Sequence, residues 1–147
     1  MRAVPAADWL GQSLLRVLPA AADSLTGTLV GRLCEAQYRL ASASDRTGYR
    51  LMADRPLPEA EAMLISQPVV TGAIQLPPGG SPLLLMADRQ TTGGYAIVAV
   101  LAAADLPLSG QLGPADSCAF SPCTWEQARA AAAERERSLD EIAARVG

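Results

Sequence analysis

The chain has 147 residues, a formal net charge of −3, no histidine and no lysine, so all 12 basic side chains are arginine. That length fits one domain with a core large enough to fold without disulfides or a structural metal. The acidic balance, with no basic stripe carrying interleaved aromatics, argues against nucleic-acid binding, and the missing histidine excludes a Ser-His-Asp triad, the usual zinc site and the commonest general base.

Three cysteines, Cys34, Cys118 and Cys123, are odd in number and without a repeated spacing. They argue against a disulfide framework and fit a reducing, cytoplasmic setting. No apolar run approaches the ~20 residues of a membrane span. The start, Met1-Arg2-Ala3-Val4-Pro5, carries a charge and a proline where an export signal is apolar. The high Ala, Arg and Gly content without lysine reads as coding bias, so the arginines alone do not point to a function.

Residues 1–14 are expected to be a leader or linker. Residues 14–18 (LLRVL) form a short apolar run stopped by Pro19 and read as a strand. A loop over 20–24 follows. Residues 25–38 place Leu25, Leu29 and Leu33 at four-residue spacing, with Asp23 or Ser24 as cap, and read as a helix. Gly27 and Gly31 each weaken it by about 1 kcal/mol relative to alanine, so it needs a sheet or barrel to lean on. Residues 38–41 are a strand candidate, 42–45 a turn, and 47–52 (TGYRLM) alternate as a strand does. Residues 60–66 are expected to add one more short strand or turn.

The centre of the chain is residues 66–95. Two apolar runs, 68–76 and 82–86, are joined by Pro77-Pro78-Gly79-Gly80 and followed by Ala87-Asp88-Arg89-Gln90-Thr91-Thr92-Gly93-Gly94-Tyr95. Two strands delivering a charged, hydroxylated, glycine-rich loop is a common way to build a site. Residues 95–102 (YAIVAVLA) read as a buried strand broken by Asp105-Leu106-Pro107, residues 108–112 as a helical turn, and 117–121 (SCAFS) as a last strand. Many short strands with Gly/Pro turns indicate a mainly β sandwich or barrel. In the tail, Thr124-Trp125-Glu126-Gln127 matches a capping box. It opens one or two helices, with a restart at Ser138. Leu139, Ile142 and Val146 make a narrow apolar stripe. Its first reading is packing on the barrel edge; its second is contact with a partner subunit.

Three segments, taken in order, carry a resemblance. They are Ser44-Asp45-Arg46-Thr47-Gly48-Tyr49-Arg50-Leu51, Gly72-Ala73-Ile74-Gln75-Leu76-Pro77-Pro78 and Ala87-Asp88-Arg89-Gln90-Thr91-Thr92-Gly93-Gly94-Tyr95, with weaker continuation through Asp105-Leu106-Pro107 and Gln111-Leu112. Together they resemble the carboxyltransferase-type family of allophanate hydrolase subunit 2, the C subunit of 5-oxoprolinase, the antagonist of a sporulation-kinase inhibitor and the matching part of urea carboxylase.

The resemblance covers about residues 15–120. It implies a cyclophilin-like β-barrel over 15–121, with one or two short helices and a C-terminal helical tail over 122–147, equivalent to the second half of the family's subunit. It further implies a cleft for ATP-coupled hydrolysis or carboxyl transfer on a small amide such as 5-oxoproline or a urea derivative. The implied partners are a paired carboxyltransferase-type subunit and a first barrel that this chain lacks. No cofactor is expected on this chain alone, with ATP or biotin handled in the full complex; no Walker-type phosphate loop is present. Three departures stand out: Ala20-Ala21-Ala22 for the family's Gly-Pro-Gln, Ala96 for a proline, and Pro114-Ala115-Asp116 for Pro-Gly-Asp. With the missing half they imply a chain inactive by itself. The alternative is a non-catalytic truncated barrel that binds and regulates a partner subunit.

The candidate substrate-binding residues are Arg46, Gln75, Asp88, Arg89, Gln90, Thr92, Gly93, Gly94 and Tyr95. Gln75 either caps a turn or offers its amide to a planar urea-like or lactam substrate. Asp88 and Arg89 either pair at the surface, worth little in stability, or Arg89 holds a carboxylate bidentately. Gln90 and Thr92 are placed to orient a carbonyl, and Gly93-Gly94 to let backbone N–H groups approach an oxyanion. Asp45 is expected in an Asx-type turn, with Arg46 either surface-bound or facing the same cleft as Arg89. Tyr95 is either a wall or a core residue. Cys118 and Cys123 are not expected to bind metal.

Overall fold

The computed structural model describes residues 13–21, 24–53, 55–58 and 65–146. Of the expected leader at 1–14, residues 1–12 lie outside the described residues and Ser13 and Leu14 begin the first strand; of the expected element at 60–66, residues 60–64 lie outside them, as does Asp23 as a cap.

Strand β1 (Ser13–Pro19) is followed by α1 (Ser24–Cys34), β2 (Gln37–Leu40), β3 (Gly48–Ala53) and the two-residue β4 (Gln67–Pro68). Then come β5 (Ala73–Leu76), β6 (Leu83–Leu85), the two-residue β7 (Thr92–Gly93) and β8 (Ala96–Leu101). A 3₁₀ turn (Ala103–Asp105) leads into α2 (Leu106–Ser109), β9 (Ser117–Pro122) and α3 (Trp125–Val146). Seven strands close into a barrel in the order β1-β8-β5-β6-β3-β2-β9, while β4 and β7 form a separate ribbon. The mainly β barrel with short helices and a C-terminal helix is therefore present. All neighbours are antiparallel except β1 and β9, which run parallel from Ser13–Cys118 to Val17–Pro122 and shut the barrel.

Alternation sets what faces inward. Leu15, Val17, Tyr38, Leu40, Leu51, Ile74, Leu76, Leu84, Leu101 and Phe120 make the core, with Leu29, Val30 and Leu33 of α1 packed into it. This answers the weakness of α1: its two glycines are offset by burial of one apolar face. Tyr38 and Phe120 meet at 5.4 Å between ring centroids, tilted by 55°, a favourable aromatic geometry.

Four expectations need correction. The first helix ends at Cys34, not residue 38, because Gln37–Leu40 is taken into the sheet between β3 and β9. The run 68–76 is not one strand. Gly72 adopts φ +86°, and a methyl there would meet Leu106 Cδ2 and Leu101 Cβ at 2.9 and 3.1 Å, so the chain turns sharply before β5. The turn expected at 108–112 is α2, and it already begins at Leu106. The tail is one unbroken helix of 22 residues, with no restart at Ser138.

The capping box does form. Thr124 N–H donates to Gln127 Oε1 at 2.8 Å, and Gln127 N–H donates to Thr124 Oγ1 at 3.2 Å. The apolar stripe, however, does not pack on the barrel: Leu139 and Ile142 are 49% and 57% exposed. The anchor is Ala128, buried against Leu18 and Ala102, with Cys123 beside them.

On the outside of β1, Arg16 is clamped by the buried Asp105. Its backbone N–H and Nε donate to Asp105 Oδ2 at 2.7 and 3.0 Å, and its Nη2 donates to Oδ1 at 2.5 Å. Asp105→Ala is expected to cost about 2–3 kcal/mol, since three charge-assisted hydrogen bonds go and a backbone donor is orphaned. Chemical denaturation measures it, and a loss below roughly 0.5 kcal/mol would contradict this role. Ala115 supplies a second test. It holds φ +72°, a left-handed conformation that favours glycine. Ala115→Gly is expected to raise stability by about 1 kcal/mol, read as a higher melting temperature.

Candidate functional site

Four of the nine expected site residues, Gln75, Arg89, Gln90 and Gly93, come together on the outside of the barrel. On β5 the side chains of Ile74 and Leu76 point into the core. Ala73 instead joins Val69 and Leu85, with Leu83 and Ile97, in a separate apolar cluster on the outer face. Gln75 stands on that same face, with Leu83 and Ile97 as its cross-strand neighbours. The pairing with β8 slips here, from Ile74–Ala99 to Gln75–Ile97, leaving Val98 as a bulge whose carbonyl accepts the Ala20 N–H at 3.1 Å. Bulges of this kind re-aim side chains and are common beside functional sites.

The β4–β7 ribbon lies over this face. A Cβ on Gly93 would fall 2.6 Å from Gln75 Nε2 and 3.5 Å from both Gln90 Nε2 and Val69 Cγ1. A larger residue at 93 would therefore have to push the end of the Gln75 side chain aside, while the backbone angle at 93 does not itself call for glycine. Gln75 is fully buried, and among the described residues neither its Nε2 nor its Oε1 has a hydrogen-bond partner. Arg89 reaches the same ribbon, its Nε donating to the Val69 carbonyl at 3.3 Å. Gln75, Arg89, Gln90 and Gly93 thus converge. Thr92 is exposed and pairs with Pro68, Gly94 is half-buried, and Tyr95 is exposed rather than core.

Arg46 and Asp88 do not join them. The Arg46 guanidinium forks onto the Asp88 carboxylate at 2.8 and 3.2 Å, with side chains 82% and 53% exposed. A pair this open adds little stability. It lies where the 86–88 segment bonds the 46–47 segment, Met86 N–H to the Thr47 carbonyl and Asp88 N–H to the Arg46 carbonyl. Asp45 forms the expected Asx-type turn. Its Oδ1 accepts the N–H groups of Thr47 at 2.8 Å and Gly48 at 3.2 Å, and these bonds hold its carboxyl below the usual range.

Chemically, the cluster offers amides and one guanidinium, with backbone N–H groups beside them. That set can orient a planar amide or a carboxylate; it holds no nucleophile. Burial pushes the Cys118 thiol up to about 12, so it stays protonated and inert at neutral pH. Among the described residues no group of His, Cys, Asp or Glu is arranged to hold a metal. No described helix is long and apolar enough to cross a membrane. An open cavity of about 500 Å³ is lined by residues that include Arg32, Glu35 and Arg55, and holds none of the expected site residues. A smaller one of about 180 Å³ includes only Arg46 of them.

Two features carry no signal in the sequence: the place of Val69 in the site and the Arg16–Asp105 clamp. The proximity of Val69 depends on a two-residue pairing, and Asp105 reads only as a strand breaker. Because an unbonded buried amide is costly, Gln75→Leu is expected to raise folding stability by about 1–2 kcal/mol. A melting temperature lower than that of the parent chain would show that the amide has a partner in solution.

Residues 2–122 match the family described as carboxyltransferase domain, subdomain A and B. The chain is 33% identical over 109 residues to the C subunit of 5-oxoprolinase from Escherichia coli, covering 74% of this chain and 35% of the relative. It is 34% identical over 106 residues to the C subunit of 5-oxoprolinase from Haemophilus influenzae, covering 72% and 34%. It thus spans about a third of the length of the curated relatives it matches. The crystal structure of Kluyveromyces lactis urea carboxylase contains the same fold, with a TM-score of 0.75 at 23% identity over 88% of this chain and 12% of that one. The expected resemblance holds, and with most of its residues inside the match the chain belongs to the family of carboxyltransferase domains, subdomain A and B.

Proposed function

We propose that this chain is the second barrel subdomain of a 5-oxoprolinase- or allophanate-hydrolase-type subunit. Its role is to form part of the cleft in which a small amide, such as 5-oxoproline or a urea derivative, undergoes ATP-coupled hydrolysis or carboxyl transfer. The observation that carries this reading is the convergence of Gln75, Arg89, Gln90 and Gly93 on one face of β5 and its ribbon. Support also comes from the relatives, which are named as subunits of 5-oxoprolinase and are about three times as long as the matched region.

In this reading Gln75 and Gln90 orient the amide of the substrate, and Arg89 exchanges the Val69 carbonyl for a substrate carboxylate, a bidentate partner that binds guanidinium more strongly. Gly93 keeps the backbone close enough to the ligand for its neighbours to act. The chain supplies positioning; the nucleotide and the remaining catalytic groups come from elsewhere in the assembly. A second reading, a regulatory barrel that binds a partner subunit, is favoured by the exposed Leu139 and Ile142 of α3.

The deciding experiment reconstitutes the chain with its partner subunits and the first barrel, then measures ATP-dependent 5-oxoproline cleavage. Arg89→Ala is expected to lower kcat/KM by about 10²-fold, the size of a lost charged hydrogen bond to substrate. Full activity in the variant, or none in the parent assembly, would overturn the cleft reading.

A further inference from the structure

Gln75 is out of keeping with its surroundings. Its neighbours across the sheet are Leu83 and Ile97, and Val69 stands with them. A leucine or valine would complete this apolar patch. Instead a primary amide is sealed there with both its donor and its acceptor unmet. Such burial disfavours the closed arrangement unless another state uses the amide.

The layer that seals it is slight. The β4–β7 ribbon consists of two residue pairs, Gln67–Gly93 and Pro68–Thr92. Pro68 has no N–H to give the ladder. Beyond those pairs, Val69 N–H donates to the Thr91 carbonyl at 3.0 Å and Arg89 Nε to the Val69 carbonyl at 3.3 Å. Lifting the ribbon off β5 breaks none of these bonds, because each lies within the ribbon and its flanks.

We propose that the β4–β7 ribbon is a flap, and that Gln75 beneath it is the residue that selects ligands with a cis-amide edge. A lactam or ureide presents an N–H and a C=O side by side in one plane. The Gln75 carboxamide presents the complementary pair, so the two join by paired hydrogen bonds in which each donor meets an acceptor. Leu83, Ile97 and Val69 flank the amide and suit the methylenes of a small ring. Gln90 and Arg89 sit on the β7 side of the ribbon and descend with it on closure. Gln75 is fully buried in the closed form, so binding draws on the lifted population. The inference rests on the cleft reading above and assigns its selectivity to one residue.

The test uses the full 147-residue chain, isotope-labelled, titrated with 2-pyrrolidone and with N-methyl-2-pyrrolidone, whose donor is blocked. The expected result is saturable shifts of the Gln75 side-chain amide and of the Val69 and Gly93 backbone amides with 2-pyrrolidone. The N-methyl probe should bind weaker by about tenfold or more. Gln75→Leu should abolish the shifts while remaining folded. Equal binding of the two probes, no saturable shift with either, or binding that survives Gln75→Leu would overturn the proposal; the probe comparison on the parent chain decides it even if the variant fails to fold. The cleft reading is separable. 5-Oxoproline cleavage that is lost in Arg89→Ala but kept in Gln75→Leu removes the flap and leaves the cleft.

Discussion

Everything in this molecule depends on β1 closing the barrel. It bonds β8 on one side, antiparallel, and β9 on the other, parallel. With no edge strand left in the barrel, every strand has a fixed inside and a fixed outside. Leu15 and Val17 go in. Arg16 and Leu18 go out, where each must be covered: Arg16 by the Asp105 carboxylate, Leu18 by Ala102 and the start of α3. A charge and an apolar group on one strand face are thus handled by two different devices a few residues apart.

The same inside–outside logic makes β5 unusual. All four of its residues are buried. The inner two are accounted for by the core and Ala73 by the outer apolar cluster. Among the described residues of this strand Gln75 alone has a buried polar end with nothing to bond, directly beside a bulge and close under Gly93. Stability would favour an apolar side chain at this place, and conflicts of that kind tend to gather where a protein binds something.

Local patterns are readable in the sequence where they are self-sufficient. The alternation at 47–52, the apolar run at 95–102 and the Thr124–Gln127 box correspond to β3, β8 and the start of α3. What cannot be read locally is anything set by a distant partner. β4 and β7 have two residues each and exist only by pairing with each other, with β5 and β6 lying between them in the chain. The early end of α1 is imposed by β9, which takes Gln37–Leu40 into the sheet. Choosing barrel over sandwich needs the β1–β9 pairing, which periodicity does not report; the family resemblance supplies it. For the candidate site, residue types in 87–95 single out the segment that carries Arg89, Gln90 and Gly93 to the ribbon. They do not separate Arg46 and Asp88, which neutralise each other at the surface, from Arg89 and Gln90, which reach the ribbon.

The C-terminal helix has a mechanical consequence. It is seated on the barrel by Ala128 near its start, and from Ala133 to Arg145 only Ser138 is less than exposed. Twenty-two residues at 1.5 Å each make a rod about 33 Å long. A rod pivoted near one end multiplies displacement. A shift of about 1 Å at the Ala128 seat, the size of an ordinary helix adjustment, swings Ile142 through several times that distance. A change in packing at β1 and the 3₁₀ turn, where the helix is seated, would thus be enlarged at the exposed Leu139 and Ile142.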